Sequence, residues 1–361
     1  MATGRGSRRT ERKVISDRGT PESAPLAADL VLSGGGVRFI GLVGAVVALM
    51  EAGYSVQRIA GVSGGSVVGT ILAAAAQGDQ LSAAEIKDLA LSVPLRAWRD
   101  AAPVPFAGPV IGFLRDNAVY RGDVAHQWIR SELDNLGVRT WGDLIYDDSS
   151  VLVERRYRAV VYVTDLTTGQ LVQLPWDYQR IYGVDPDEQL VADSVRASMA
   201  VPFFYRPVTL TSAAGLKSTL VDGGVLSNFP IYTFDRLDGR PPRWPTFGVT
   251  VAPELSDMLD AMVPVMRPLR LFGQSLLLEN LISTMLTGRD QTYLNQPWVK
   301  SRAIEVDSAD VSVLDFGISR ERLENLYDSG YTAASAFLTS WDWPEYLRRF
   351  HVWHALGADP S

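Results

Sequence analysis

Two glycine clusters, each set between an apolar strand-like run and an apolar helix-like run, constrain this chain most. Gly34-Gly35-Gly36 follows Ala28-Asp29-Leu30-Val31-Leu32, and Gly61-Val62-Ser63-Gly64-Gly65 follows Arg58-Ile59-Ala60. A serine on a sharp strand-to-helix turn has its hydroxyl thrust out of the backbone. Glycines at another strand end let backbone N–H groups approach an anion closely. The pair reads as a nucleophile, Ser63, and an oxyanion hole around Gly34, Gly35 and Gly36. That combination points to acyl transfer, most simply ester hydrolysis. The helix starting at Gly64 also brings its positive dipole end to the serine. Ser66 is a rival hydroxyl, but it falls in the first helical turn and reads as a helix-start hydrogen-bonder.

The rest of the chain repeats the strand–helix alternation. Helices are expected over Gly41 to Ala52, Gly64 to Gln77, from the capping box Ser82-Ala83-Ala84-Glu85, around Asp187 to Met199, Leu269 to Leu286 and Arg320 to Leu338. Strands are expected over Tyr157 to Thr164, Leu171 to Leu174, up to Val221, Thr246 to Val251 and Ala303 to Val306. Such alternation predicts a three-layer α/β/α domain with a mostly parallel central sheet, its functional loops at the carboxyl ends of the strands. Residues 1–26 read as a flexible basic tail, 27–340 as the main domain with 94–150 a variable insertion of short helices and loops, and 341–361 as a Trp-rich C-terminal segment. The insertion's stretch from about 94 to 119 gathers Trp98, Phe106, Ile111 and Phe113 between prolines and is expected to contact lipid, with capping of the core as the equal alternative.

Composition narrows the classes. The net charge of −7 argues against nucleic-acid binding. The absence of cysteine removes disulfides, thiolate metal sites and cysteine nucleophiles, and fits a reducing, cytoplasmic setting. The longest apolar stretch, Phe39 to Met50, falls short of the ~20 residues that span a bilayer. Arg8-Arg9 lacks the following apolar segment of a twin-arginine export signal. No carboxylate–histidine cluster suggests a metal, and no cofactor is expected. The third glycine of a dinucleotide-binding fingerprint would fall at Phe39, and no Gly-Lys-Ser/Thr follows for a phosphate-binding loop.

A serine nucleophile needs a base. The order Ser63, Asp222, His351 would suit an α/β-hydrolase triad, but there the nucleophile elbow follows several strands and here it follows the second. His126 falls in the irregular insertion, and His351 and His354 lie near the C-terminus. Asp222 ends an apolar strand and is followed by Gly223-Gly224. Buried in a water-poor pocket, such an aspartate becomes a useful base; a surface Asp-Gly turn is the alternative.

Together, Gly34-Gly35-Gly36-Val37-Arg38, Gly61-Val62-Ser63-Gly64-Gly65 and Asp222-Gly223-Gly224 resemble the patatin-like phospholipase family. Thr164 to Gly169, the block Ser198-Met199-Ala200-Val201-Pro202 with Phe204 and Pro207-Val208, and Asn228 with Pro230 extend the likeness over roughly residues 28–340. The resemblance implies a Ser63–Asp222 dyad without histidine, a glycine-rich oxyanion loop supported by Arg38, and a lipid substrate met at a membrane surface. One position departs from the family's pattern: Phe39 stands where a glycine is usual, at the edge of the acyl entrance. A non-catalytic lipid-binding scaffold on the same fold, and an effector switched on by a partner, are the rival readings. No sensor domain is visible for the latter.

Overall fold

The computed structural model describes residues 26–77, 81–101, 118–149, 151–236, 238, 240–251, 295–308 and 311–355, the last five of these as backbone only. The expected helix at Leu269 to Leu286, the N-terminal tail, and Phe106, Ile111 and Phe113 lie outside these residues.

The first two strands, β1 (Leu26–Leu32) and β2 (Tyr54–Val62), are joined by the helix α1 (Phe39–Glu51). Of α1 only Met50 and Glu51 escape full burial, so it reads as apolar on every side, as a helix enclosed by protein must. The second crossover begins with α2 (Gly64–Gln77) and α3 (Ala83–Ser92). The capping box at its start is formed: the Ser82 N–H donates to Glu85 Oε2 (2.8 Å) and the Glu85 N–H to Ser82 Oγ (3.3 Å). The segment from 94 to 150 holds more regular structure than its prolines suggest. After the short strand β3 (Ala118–Tyr120), α4 (Asp123–Asn135) buries Ala125, Ile129 and Leu133, a spacing of four residues that gives one apolar stripe.

Next come β4 (Ala159–Asp165), β5 (Gln170–Leu174), α5 (Val191–Ser198), β6 (Phe203–Tyr205), β7 (Val208–Thr211) and β8 (Lys217–Asp222). The chain then supplies β9 (Thr246–Thr250), α6 (Pro297–Lys300), β10 (Ala303–Glu305), α7 (Arg320–Ser340) and α8 (Trp343–Ala355).

The fold is of the α/β class with a mostly parallel central sheet. Its order is β10-β9-β1-β2-β4-β8-β7, with β5 also on β4. From β10 to β4 every pairing is parallel; β5 and β8 run antiparallel to β4, and β7 antiparallel to β8. Both faces of β4 are buried along its whole length, as expected of a central strand. β2 and β8 share one edge of β4: Val62 pairs with Tyr162, and Asp222 pairs with the next residue, Val163. Leu174 and Val172 of β5 occupy the other edge at the same level. The carboxyl ends of β2 and β8 therefore meet head-on.

Candidate active site

Ser63 stands where β2 turns into α2, with φ of +50°. That left-handed conformation costs a residue with a Cβ roughly 1–2 kcal/mol, so the surroundings must impose it. Gly65 permits the turn, because a Cβ there would lie 2.5 Å from the carbonyl oxygens of Leu32 and Ser33. A hydroxyl fixes it: Ser198 Oγ accepts the Ser63 N–H (2.9 Å) and donates to the Tyr162 carbonyl (2.7 Å). The Ser63 carbonyl accepts the N–H (2.9 Å) and the hydroxyl (2.6 Å) of Ser66. Ser66 thus serves the helix start, as its position suggests.

The head-on meeting of β2 and β8 brings the two strand ends together. The Ser63 side chain comes near enough to the Asp222 carboxylate to favour its ionised form. The Gly224 N–H donates to Asp222 Oδ1 (2.8 Å). Asp222 is only 2% exposed. Burial pushes its carboxyl up from 3.8 to about 7, against the smaller lowering effect of the bonds from Ser63 and Gly224. An aspartate that would be a feeble base in water thus holds and releases a proton near neutrality.

The glycine loop lies against this pair. Its ends are held by backbone bonds from the Gly34 N–H to the Asn228 carbonyl (3.1 Å) and from the Val37 N–H to the Val313 carbonyl (3.0 Å). Gly36 has φ of +53°, and a Cβ there would strike the Val313 carbonyl. A Cβ on Gly34 would come 3.3 Å from Ser63 Cβ, and one on Gly64 2.9 Å from the Gly36 carbonyl, so loop and elbow touch. Among the described residues no acceptor takes the N–H of Gly35 or Gly36. Arg38 is wholly buried and its Nε donates to the Val311 carbonyl, which ties the loop's end to the segment before α7.

A small apolar cavity opens beside Ser63, lined in part by Gly36, Phe39, Gly64, Trp98 and Phe316. Trp98 belongs to this wall rather than to a lipid-facing surface. It is 1% exposed and packs on Phe39, Trp128 and Phe316, so the lipid contact expected of it is corrected by the structure. Aromatic side chains at that point in the chain close the core because α4 and Phe316 fold over them.

His126 pairs with Asp193 Oδ1 (2.7 Å) in a partly exposed contact, away from Asp222, whose own partners are Ser63 and Gly224. The side chains of His351 and His354 lie outside the described residues. Among those residues no group of three histidine, aspartate or glutamate side chains is placed to hold a metal ion.

Over residues 30–235 the sequence matches the profile described as patatin-like phospholipase. The chain belongs to that family. A Bacillus subtilis (strain 168) protein, described as uncharacterized protein YqhO, is 31% identical over 313 residues, covering 87% of this chain and 98% of that one. The RpoH suppressor of Rhizobium meliloti (strain 1021) is 30% identical over 134 residues, which are 32% of this chain and 21% of that one. Among solved structures, VipD from Legionella pneumophila aligns over 88% of this patatin-like chain and 67% of its own, at 17% identity and a TM-score of 0.47. The ExoU–SpcU heterodimer of Pseudomonas aeruginosa aligns over 90% of this chain and 53% of its own, at 17% identity and a TM-score of 0.48. Family membership makes this patatin-like protein a lipid acyl hydrolase by class. The bond by which Ser198 pins the Ser63 backbone is the contact at this candidate site that sequence reasoning missed. Its place in the Ser-x-Ala-x-Pro block was the only signal.

Proposed function

We propose that this patatin-like protein hydrolyses fatty-acyl esters of phospholipids or related lipids, as a phospholipase A-type enzyme, through a Ser63–Asp222 dyad. The observation that carries the reading is that the head-on ends of β2 and β8 bring Ser63 beside a buried carboxylate whose proton affinity sits near neutrality. In the first half-reaction Ser63 Oγ attacks the ester carbonyl carbon while its proton passes to Asp222. The developing oxyanion is met by the N–H groups of Gly35 and Gly36, with the amino end of α2 at Gly64 adding its dipole. A single such donor is typically worth about 2.7–4 kcal/mol in the transition state. Asp222 then returns the proton to the leaving alcohol. In the second half-reaction it takes a proton from water, which attacks the acyl-serine, and then gives that proton to the departing Ser63 Oγ as the fatty acid is released.

Gly34 and Arg38 hold the loop in position. Lipid is reached from the membrane surface. Among the described residues no helix is long and apolar enough to cross a membrane.

The test is labelling by a fluorophosphonate together with mass-spectrometric analysis of products from mixed phospholipids. Wild type should label at Ser63 and release fatty acid and lysophospholipid, and Ser63→Ala should do neither. A folded wild type that is never labelled would favour the lipid-binding scaffold.

A further inference from the structure

The peptide between Gly34 and Gly35 is the softest point of the glycine loop. Both residues must be glycine: a Cβ on Gly34 would strike Asn228 Oδ1, and one on Gly35 would strike Val251 Cγ2. A peptide between two glycines has no side chain of its own to oppose rotation about its flanking bonds. Its plane can flip, and with it the Gly35 N–H, one of the two donors the proposed reaction needs. Something outside the loop must choose the orientation.

Two side chains do so. The Gly34 carbonyl accepts one hydrogen bond from Asn228 Nδ2 (3.3 Å) and another from Ser33 Oγ (3.1 Å). Together they engage both lone pairs of the oxygen. The peptide is trans, so its C=O and its N–H point to opposite sides. Fixing the Gly34 carbonyl therefore aims the Gly35 N–H away from Asn228 and Ser33, and among the described residues no acceptor takes it. Both latches are themselves anchored. Ser33 is wholly buried, and its Oγ accepts the Val251 N–H (3.2 Å) just past β9. Asn228 lies on the turn that follows Asp222, where the Ser227 N–H donates to the Gly223 carbonyl (3.0 Å), and its own carbonyl holds the Gly34 N–H (3.1 Å).

We propose that Asn228 and Ser33 are positioning residues that hold the Gly34–Gly35 peptide with its N–H turned toward the reacting carbonyl oxygen. The inference rests on the Ser63–Asp222 reading of the site, and the experiment separates the two. Full-length wild type, Asn228→Ala, Ser33→Ala and the double variant are assayed on p-nitrophenyl octanoate and on its thionoester, in which sulfur replaces the carbonyl oxygen. Sulfur is a weak hydrogen-bond acceptor, so an aimed N–H speeds the ester far more than the thionoester. Wild type should favour the ester in kcat. Each single variant should lose about fivefold to tenfold in ester kcat, the worth of one neutral hydrogen bond, with KM within about twofold. Its ester-to-thionoester ratio should fall by a similar factor. The double variant should lose about a hundredfold, the lower end of the effect of removing one oxyanion donor. Ser33→Ala removes a single oxygen, so it carries the test if Asn228→Ala does not fold.

A single variant that keeps its melting temperature and the wild-type ester-to-thionoester ratio overturns the inference while leaving Ser63 and Asp222 in their roles. That holds even if its activity falls, because a loss shared equally by both substrates marks a merely structural effect. Failure of folded wild type to hydrolyse either substrate overturns the dyad and the inference together.

Discussion

Replacing Asp222 with asparagine should remove activity and, above neutral pH, make the protein more stable. The carboxyl is raised by burial from 3.8 to about 7. Each tenfold change in proton affinity is worth 1.36 kcal/mol, so holding this group ionised in the folded state costs about 4 kcal/mol. Between pH 3.8 and about 7 the folded protein keeps the Asp222 proton while the unfolded chain has given it up. The stability contributed by Asp222 is therefore complete below pH 3.8, declines as pH rises through this interval, and is gone above about 7. Asparagine does not titrate. Its Oδ1 can keep the Gly224 N–H, and its amide can donate to Ser63 Oγ, so both existing contacts have a counterpart.

The melting temperature of Asp222→Asn relative to wild type should then climb by about 5 °C between pH 4 and pH 8, from about 2.1 cal/mol/K of unfolding entropy per residue over this chain. Over the same interval kcat/KM of wild type on a soluble ester should rise about tenfold per pH unit up to about 7 and level off, because only the ionised carboxylate accepts the serine proton. Scanning calorimetry of both proteins from pH 4 to 8, alongside the pH–rate profile, tests this. A stability gap that stays flat across pH, or an activity midpoint near 4, would refute the assignment of a buried, raised Asp222 as the base.

Ser198→Ala should leave the Ser63 N–H buried without its acceptor and destabilise by about 1–3 kcal/mol; esterase turnover should fall with it, and unchanged turnover would show that the elbow holds its own shape. Gly65→Ala forces a Cβ to within 2.5 Å of two carbonyl oxygens, so it should yield insoluble protein or a sharply lowered melting temperature, checked by thermal denaturation. His126→Ala, His351→Ala and His354→Ala should each leave kcat/KM within about twofold of wild type, since the proposed dyad uses no imidazole; loss of activity in any folded one would restore a histidine-containing triad.

Local sequence rules carried much of this protein. The limits of α2 follow from an apolar run between Gly64 and Gln77, and the start of α3 follows from Ser82 and Glu85. The strand ahead of Asp222 and the elbow at Ser63 were legible for the same reason: strand and helix periods, capping and glycine turns act over a few residues. The irregularity read into 94–150 was the weaker expectation. Prolines and scattered aromatics say where regular structure breaks, not which side chains a distant segment will cover, and Trp98 is buried only because α4 and Phe316 close over it. The meeting of Ser63 with Asp222 is likewise tertiary. It depends on β8 running antiparallel into the edge of β4 that β2 has just vacated, and strand pairing is decided between residues far apart in the chain. The proton affinity of Asp222 belongs to the same level, since an identical Asp-Gly-Gly on a solvated turn would stay near 3.9. Residue types marked Ser63 and Asp222 as candidates; burial and the head-on strand ends supply the proximity and the dielectric on which the proposed dyad depends.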